Sequence, residues 1–163
     1  MTEWNDWGAP VRVRIEAAPV WAFARAVKDK NPVFASARAA AELGLASSPV
    51  PPTFTFAMTH SCAFPDLQES GKPTSLMDGD MDALMARGGL YLHGEQEFVY
   101  HRTPLVGDEL EGRTRTSIPE MRPRGSKATM EVTYYETEWR DLNTGDPVVT
   151  ETITSLWLPD PPA

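Results

Sequence analysis

From Val11 to Ile15 the chain alternates apolar Val11, Val13 and Ile15 with Arg12 and Arg14, the period-two pattern of a strand that buries one face. Pro19 then suits the first turn of a helix, where a missing N–H has no intrahelical partner to lose. That helix is expected to run to about Val27 with Val20, Phe23 and Val27 facing inward, and Asn31-Pro32 is expected to end it. Ser36 fits the N-cap of a second short helix over Ala37 to Leu43, with Gly44 as its stop. After the breaker cluster Ser47 to Pro52, the stretch Thr53 to Cys62 is almost uncharged and reads as a buried central helix of about two to three turns.

From Ala63 to Gly89 the periodicity dissolves into Pro, Gly, Ser and Asp, apart from a short helical patch around Met81, Leu84 and Met85. Such an excursion suits a lid or surface loop. Four strand-like segments follow, at about Tyr91 to Tyr100, Glu109 to Ile118, Ala128 to Trp139 and Val148 to Leu158. Gly107-Asp108, Pro123-Arg124-Gly125 and Asn143 to Asp146 separate them as turns. In the third segment Met130, Val132 and Tyr134 alternate with Glu131, Thr133 and Tyr135, so one face packs and the other is open to solvent or a partner. Strand, helices and then a run of antiparallel strands define an α+β layer, a curved sheet wrapped around one central helix. No internal repeat appears, and Pro159 to Ala163 reads as a frayed tail.

With 163 residues, 41 % of them hydrophobic, the chain fits one domain able to build its own core. A formal net charge of −8 argues against a nucleic-acid footprint, which needs clustered Lys and Arg. Cys62 is the sole cysteine, so no intrachain disulfide framework is possible. The opening residues Met1 to Trp7 are acidic and aromatic instead of basic then apolar, and no apolar run approaches the roughly 18 residues that span a bilayer. The expectation is a cytoplasmic protein with no membrane partner.

The candidate chemistry lies in four segments. They are Phe23 to Phe34, which ends Asp29-Lys30-Asn31-Pro32-Val33-Phe34; Pro51-Pro52-Thr53-Phe54; His93 to Arg102; and Pro104 with Gly107-Asp108. In this order the segments resemble the MaoC-like dehydratase family, of the hot-dog fold, and in particular its N-terminal-half type. That type is similar to the non-catalytic subunits of 3-hydroxyacyl dehydratases in mycolic-acid synthesis and of bacterial steroid side-chain hydratases. Active members carry Asp-x-Asn-Pro-(Ile or Val)-His and hydrate a trans-2-enoyl thioester. Water must lose a proton to attack C3 while C2 gains one, and an Asp and a His together manage both transfers. A backbone N–H at the start of the central helix polarises the thioester carbonyl.

The resemblance implies that Asp29 matches the catalytic Asp, that Asn31 and Pro32 match the loop, and that Phe34 stands where the His should be. Phenylalanine has no titratable group and neither holds nor deprotonates water. The helix-start glycine of active members falls near Pro52, which has no N–H to donate; a register slip by one would let Thr53 supply it. The expected function is therefore a subunit of an (R)-specific 2-enoyl-thioester hydratase or 3-hydroxyacyl-thioester dehydratase. Its partner would be a catalytic MaoC-like chain in a hot-dog heterodimer or heterotetramer. Two alternatives stand beside it: a non-catalytic acyl-CoA-binding or scaffold homodimer, and an independent hydratase with a substitute base such as His93.

No cofactor is expected beyond coenzyme A or a phosphopantetheine arm as the carrier of the acyl thioester. Asp29, Asn31, Thr53, Phe54 and His93 are candidate substrate contacts. Arg122, Arg124 and Lys127 form a local basic patch suited to the carrier phosphates, or simply a solvated hairpin tip. Asp29 reads more readily as a turn or capping residue, and His93 more readily as a strand histidine bonded to backbone than as a base. Glu95 and Glu97 share one strand face, a solvated or dimer-edge position. His60 and Cys62, two apart on a helix, point to different faces and make a poor metal pair. The methionines at 58, 77, 81 and 85 read as core or lid packing. Thioesterase chemistry ranks low because Thr53 to Cys62 contains no acid.

Overall fold

The structure is a computed structural model describing residues 2–69, 86–124 and 128–159. Six strands form one antiparallel sheet: β1 Val11–Arg14, β2 Leu90–Tyr100, β3 Glu109–Thr116, β4 Glu120–Arg124, β5 Ala128–Asp141 and β6 Pro147–Leu158. Across the sheet the order is β1-β3-β5-β6-β2, with β3 and β4 sharing one edge of β5. The helical layer comprises α1 Ala17–Ala26, a 3-10 turn at Pro32–Phe34, α2 Ala37–Glu42, α3 Phe54–Ala57 and α4 Thr59–Cys62. Val20, Ala24, Phe54, Met58 and Cys62 from this layer meet Val13, Leu110, Trp139 and Val149 of the sheet in one core.

The central segment carries Phe54, Met58 and Cys62 four residues apart, and all three are buried, as a helix with one inward face requires. The helix begins at Phe54 instead of Thr53, which is left-handed, and it is broken into two four-residue runs at Met58, whose own backbone stays in the right-handed helical region. Cys62 points into the core and His60 outward, as the spacing implies. Ser36 caps α2 by accepting from the Ala39 N–H at 3.3 Å, and Gly44 takes φ +76° just beyond its end, the left-handed conformation that Gly adopts without strain.

Several expectations need correction. The first helix runs from Ala17 to Ala26 with Pro19 in its first turn, as expected, but Val27 lies just beyond its end and is 55 % exposed instead of inward. Ala24 takes the inward position instead. Pro123 and Arg124 belong to strand β4, not to a turn; an edge strand tolerates Pro because its N–H need not join the ladder. In β5 it is Thr133, Tyr135 and Trp139 that share the helix-covered face, while Val132 is buried on the opposite one. Gly112 stands opposite Trp139 in the ladder, and a Cβ there would lie 2.4 Å from the indole ring. The helical patch expected around Met81, Leu84 and Met85 lies outside the described residues.

Arg102 and Asp108, from the last two of the four segments, hold local structure. The Arg102 guanidinium bridges Asp108 at 2.5 Å and Asp141 at 2.7 Å, and the same Asp108 oxygen accepts the Leu105 N–H at 2.9 Å. This knot ties the β2–β3 connection to the end of β5. Among the described residues no helix is long and apolar enough to cross a membrane.

Candidate functional site

The loop after α1 is shaped by its own polar side chains. Lys28 N–H donates to the Arg25 carbonyl at 3.1 Å and Asp29 N–H to the Ala24 carbonyl at 2.9 Å, with Lys28 at φ +61°. That left-handed position usually belongs to Gly or Asn, because a Cβ is strained there. Asp29 Oδ1 then accepts the Asn31 N–H at 2.9 Å, and Asn31 Oδ1 accepts the Val33 N–H at 3.1 Å. Both side chains thus hold backbone turns, and both residues are exposed. The turn carries Val33 and Phe34 inward, with Phe34 8 % exposed and part of the core. A groove of about 320 Å³ opens here, lined by Trp21, Arg25, Lys28, Asp29, Asn31 and Phe34 among others.

At the start of the central helix the N–H groups of Thr53 and Phe54 are occupied. Thr53, at φ +69°, gives its N–H to the Tyr100 hydroxyl at 3.3 Å, and Phe54 gives its N–H to the Pro51 carbonyl at 3.1 Å. Neither points a free N–H at a developing negative charge, which is what an oxyanion donor must do. The Phe54 ring is 1 % exposed and packs edge-on to Phe23 at 5.5 Å, so it belongs to the core and not to a substrate surface.

His93 sits beside a register shift in β2, exposed, with its ring edge-on to Phe56 at 5.9 Å. Among the described residues its ring makes no hydrogen bond, so the expected side-chain bond to backbone is replaced by an aromatic contact. Arg122 is held by Glu120 at 2.9 Å and by the Tyr134 hydroxyl at 2.8 Å. Arg124 is exposed on β4, and neither it nor Arg122 lines the groove. Lys127 lies outside the described residues.

Two features escaped sequence reasoning. The first is the cation set at the groove, Arg25, Lys28 and Lys30, which the end of α1 and its loop gather at one place. The second is Glu151 on β6, 4 % exposed. It lies between Phe98 and Thr137 in the sheet and against Thr55 of the central helix. Burial pushes its carboxyl up to about 7, against a smaller opposite pull from the Thr55 hydroxyl and the Trp139 indole. Neither closes a full hydrogen bond to it: Glu151 Oε1, Thr55 Oγ1 and Trp139 Nε1 are all buried without a partner. An acid therefore does reach the central helix, from the sheet opposite. Its position on the same sheet face as Val149 was the available signal, but a Glu in an alternating strand ordinarily faces water.

Comparison with known proteins places these observations. Residues 5–151 match a family model described as FAS1-like, dehydratase domain region. A UPF0336 protein of Parafrankia sp. (strain EAN1pec) is 36 % identical over 114 residues, 70 % of this chain and 66 % of the relative. A UPF0336 protein of Streptomyces avermitilis is 38 % identical over 88 residues, 54 % of this chain and 51 % of the relative. The matched stretch thus spans about half to two-thirds of the length of these curated relatives. Among solved structures, the HadBC (3R-hydroxyacyl-ACP dehydratase) complex of Mycobacterium tuberculosis is similar in fold, with TM-score 0.63 and 24 % identity, covering 94 % of this chain and 96 % of that one. The ChsH1–ChsH2 complex of the same organism gives TM-score 0.68 and 15 % identity, covering 96 % of this chain and 86 % of that one.

Proposed function

Because the chain belongs to the family of FAS1-like dehydratase-region domains and has the hot-dog fold of the MaoC-like dehydratases, we propose that it is a subunit of an (R)-specific 2-enoyl-thioester hydratase or 3-hydroxyacyl-thioester dehydratase. In this reading it supplies architecture and part of the substrate site, and a MaoC-like partner chain supplies the Asp and His. The observation that carries the proposal is Phe34. The loop keeps its full turn geometry through Asp29 and Asn31, yet at the position of the base it buries a ring in the core. A loop preserved without its proton-transfer group suits a chain whose chemistry is done by a neighbour.

The occupied N–H groups of Thr53 and Phe54 support the same division, since neither is free to meet a developing negative charge. The edge strand β2 supports a partner. It ends the sheet and exposes Leu90 at 54 %, Leu92 at 39 % and Val99 at 46 %, which the pairing with β6 sets on one face. An apolar edge strand of this length is a template for a second chain.

Co-expression with a chain that carries Asp-x-Asn-Pro-Ile-His tests the proposal. The two are expected to co-purify as a defined complex in native mass analysis. A chain that stays alone, or only pairs with itself, in the presence of that partner would sink the subunit reading in favour of a homodimeric acyl-CoA-binding scaffold.

A further inference from the structure

We propose that the groove at the C-terminal end of α1 takes the nucleotide end of a coenzyme A-type carrier, with its phosphates on Arg25, Lys28 and Lys30 and its base against Trp21. The proposal rests on the thioester reading given above and deepens it, by choosing a nucleotide carrier over a carrier protein.

The first observation concerns which cations are free. Of the thirteen described Lys and Arg residues, nine are ion-paired with described carboxylates. The four that are not are Arg25, Lys28, Lys30 and Arg124, and the first three line one groove. In a chain of net charge −8, unpaired cations converging on a concavity form a local anion site against the field of the whole molecule. The one acid among them, Asp29, has Oδ1 engaged by the Asn31 N–H.

The second observation is conformational. Cations at a helix C-terminus are favoured by the helix dipole, which accounts for Arg25. It does not account for a lysine held at φ +61°, where Gly would relieve strain, nor for Lys30 two residues farther on. The third is the aromatic surface. Trp21 is 46 % exposed and already carries the Arg25 guanidinium 4.8 Å from its ring centre. A planar base stacks on such an indole or on the guanidinium beside it, while the cations meet phosphate. The volume of about 320 Å³ is at the small end for ligand sites and suits one end of a carrier instead of a long acyl chain.

Calorimetric titration of the full chain, alone and in complex with its catalytic partner, tests the proposal with four probes: coenzyme A, adenosine diphosphate, pantetheine and inorganic phosphate. Coenzyme A and adenosine diphosphate are expected to bind, with pantetheine and phosphate weaker by about tenfold or more. Coenzyme A affinity should fall as salt rises from about 50 to about 500 mM. Arg25→Glu with Lys30→Glu should cost about tenfold or more in coenzyme A affinity, and Trp21→Ala several-fold.

Lys28→Gly guards against a folding artefact, since it should weaken coenzyme A binding while raising the melting temperature through relief of the positive φ. Equal binding of pantetheine and coenzyme A, or no loss on the double charge reversal, overturns the groove assignment and leaves the subunit reading standing. A groove that binds coenzyme A through these residues in a complex without hydratase activity has the reverse meaning: the subunit reading fails and the groove stands.

Discussion

Phe34 is held by the core as well as by the loop, so restoring a histidine there is a test of both. Phe34→His replaces a ring that is 8 % exposed with a polar one that has no partner, and is expected to cost about 2–4 kcal/mol in denaturant unfolding. It should not create hydratase activity in the isolated chain, because the Thr53 and Phe54 N–H groups remain occupied. Crotonyl-CoA hydration by the purified variant would contradict that. Glu151 makes a second prediction. Its folded pKa, about 7, lies above the 4.5 of the free group. Between those values the unfolded chain has released the proton and the folded chain still holds it, so stability falls as pH rises through that window and levels off above it. The loss is on the order of 3 kcal/mol. Glu151→Gln should remove this slope and leave the variant more stable than the parent at pH 8, as urea unfolding at several pH values would read. An unchanged slope would mean that the carboxyl is solvated. Neither residue was equally legible: Phe34 stood out because the segment around it fixed what belonged there, whereas Glu151 is one acid among 23 Asp and Glu, and only the fold says which of them the helix covers.

At the scale of elements, alternation and punctuation located β1, α2, the central helix and four of the later strands, because each buries one face against the same core. They missed β4, where Glu120, Arg122, Pro123 and Arg124 hide a strand that only borrows the free edge of β5. The basic groove was missed for a related reason. Arg25, Lys28 and Lys30 are spread along a helix end, and only its left-handed turn at Lys28 brings them together. The sheet gives its own test at Gly112. A Cβ there would enter the Trp139 ring, so Gly112→Ala is expected to destabilise by about 3 kcal/mol, the upper range for overpacking. A melting temperature equal to the parent's would mean that the two strands shift freely. Along β2, Leu92→Lys with Val99→Lys places charges on the exposed edge face and should abolish pairing with a partner chain while leaving the monomer folded. Retained assembly in sedimentation would move the interface elsewhere.

For the molecule as a whole, the proposed function is a division of labour: a hot-dog domain with Phe34 buried in the loop where the base would stand, a sheet edge at β2 left open among the described residues for a partner, and a basic groove for a carrier. The rate of crotonyl-CoA hydration, measured for the purified chain alone, for the catalytic partner alone and for the two together, tests this most directly. The account predicts background rates for this chain by itself and a rate for the pair well above that of the partner alone. Turnover by the isolated chain, lost on His93→Ala, would contradict it and make the protein an enzyme in its own right.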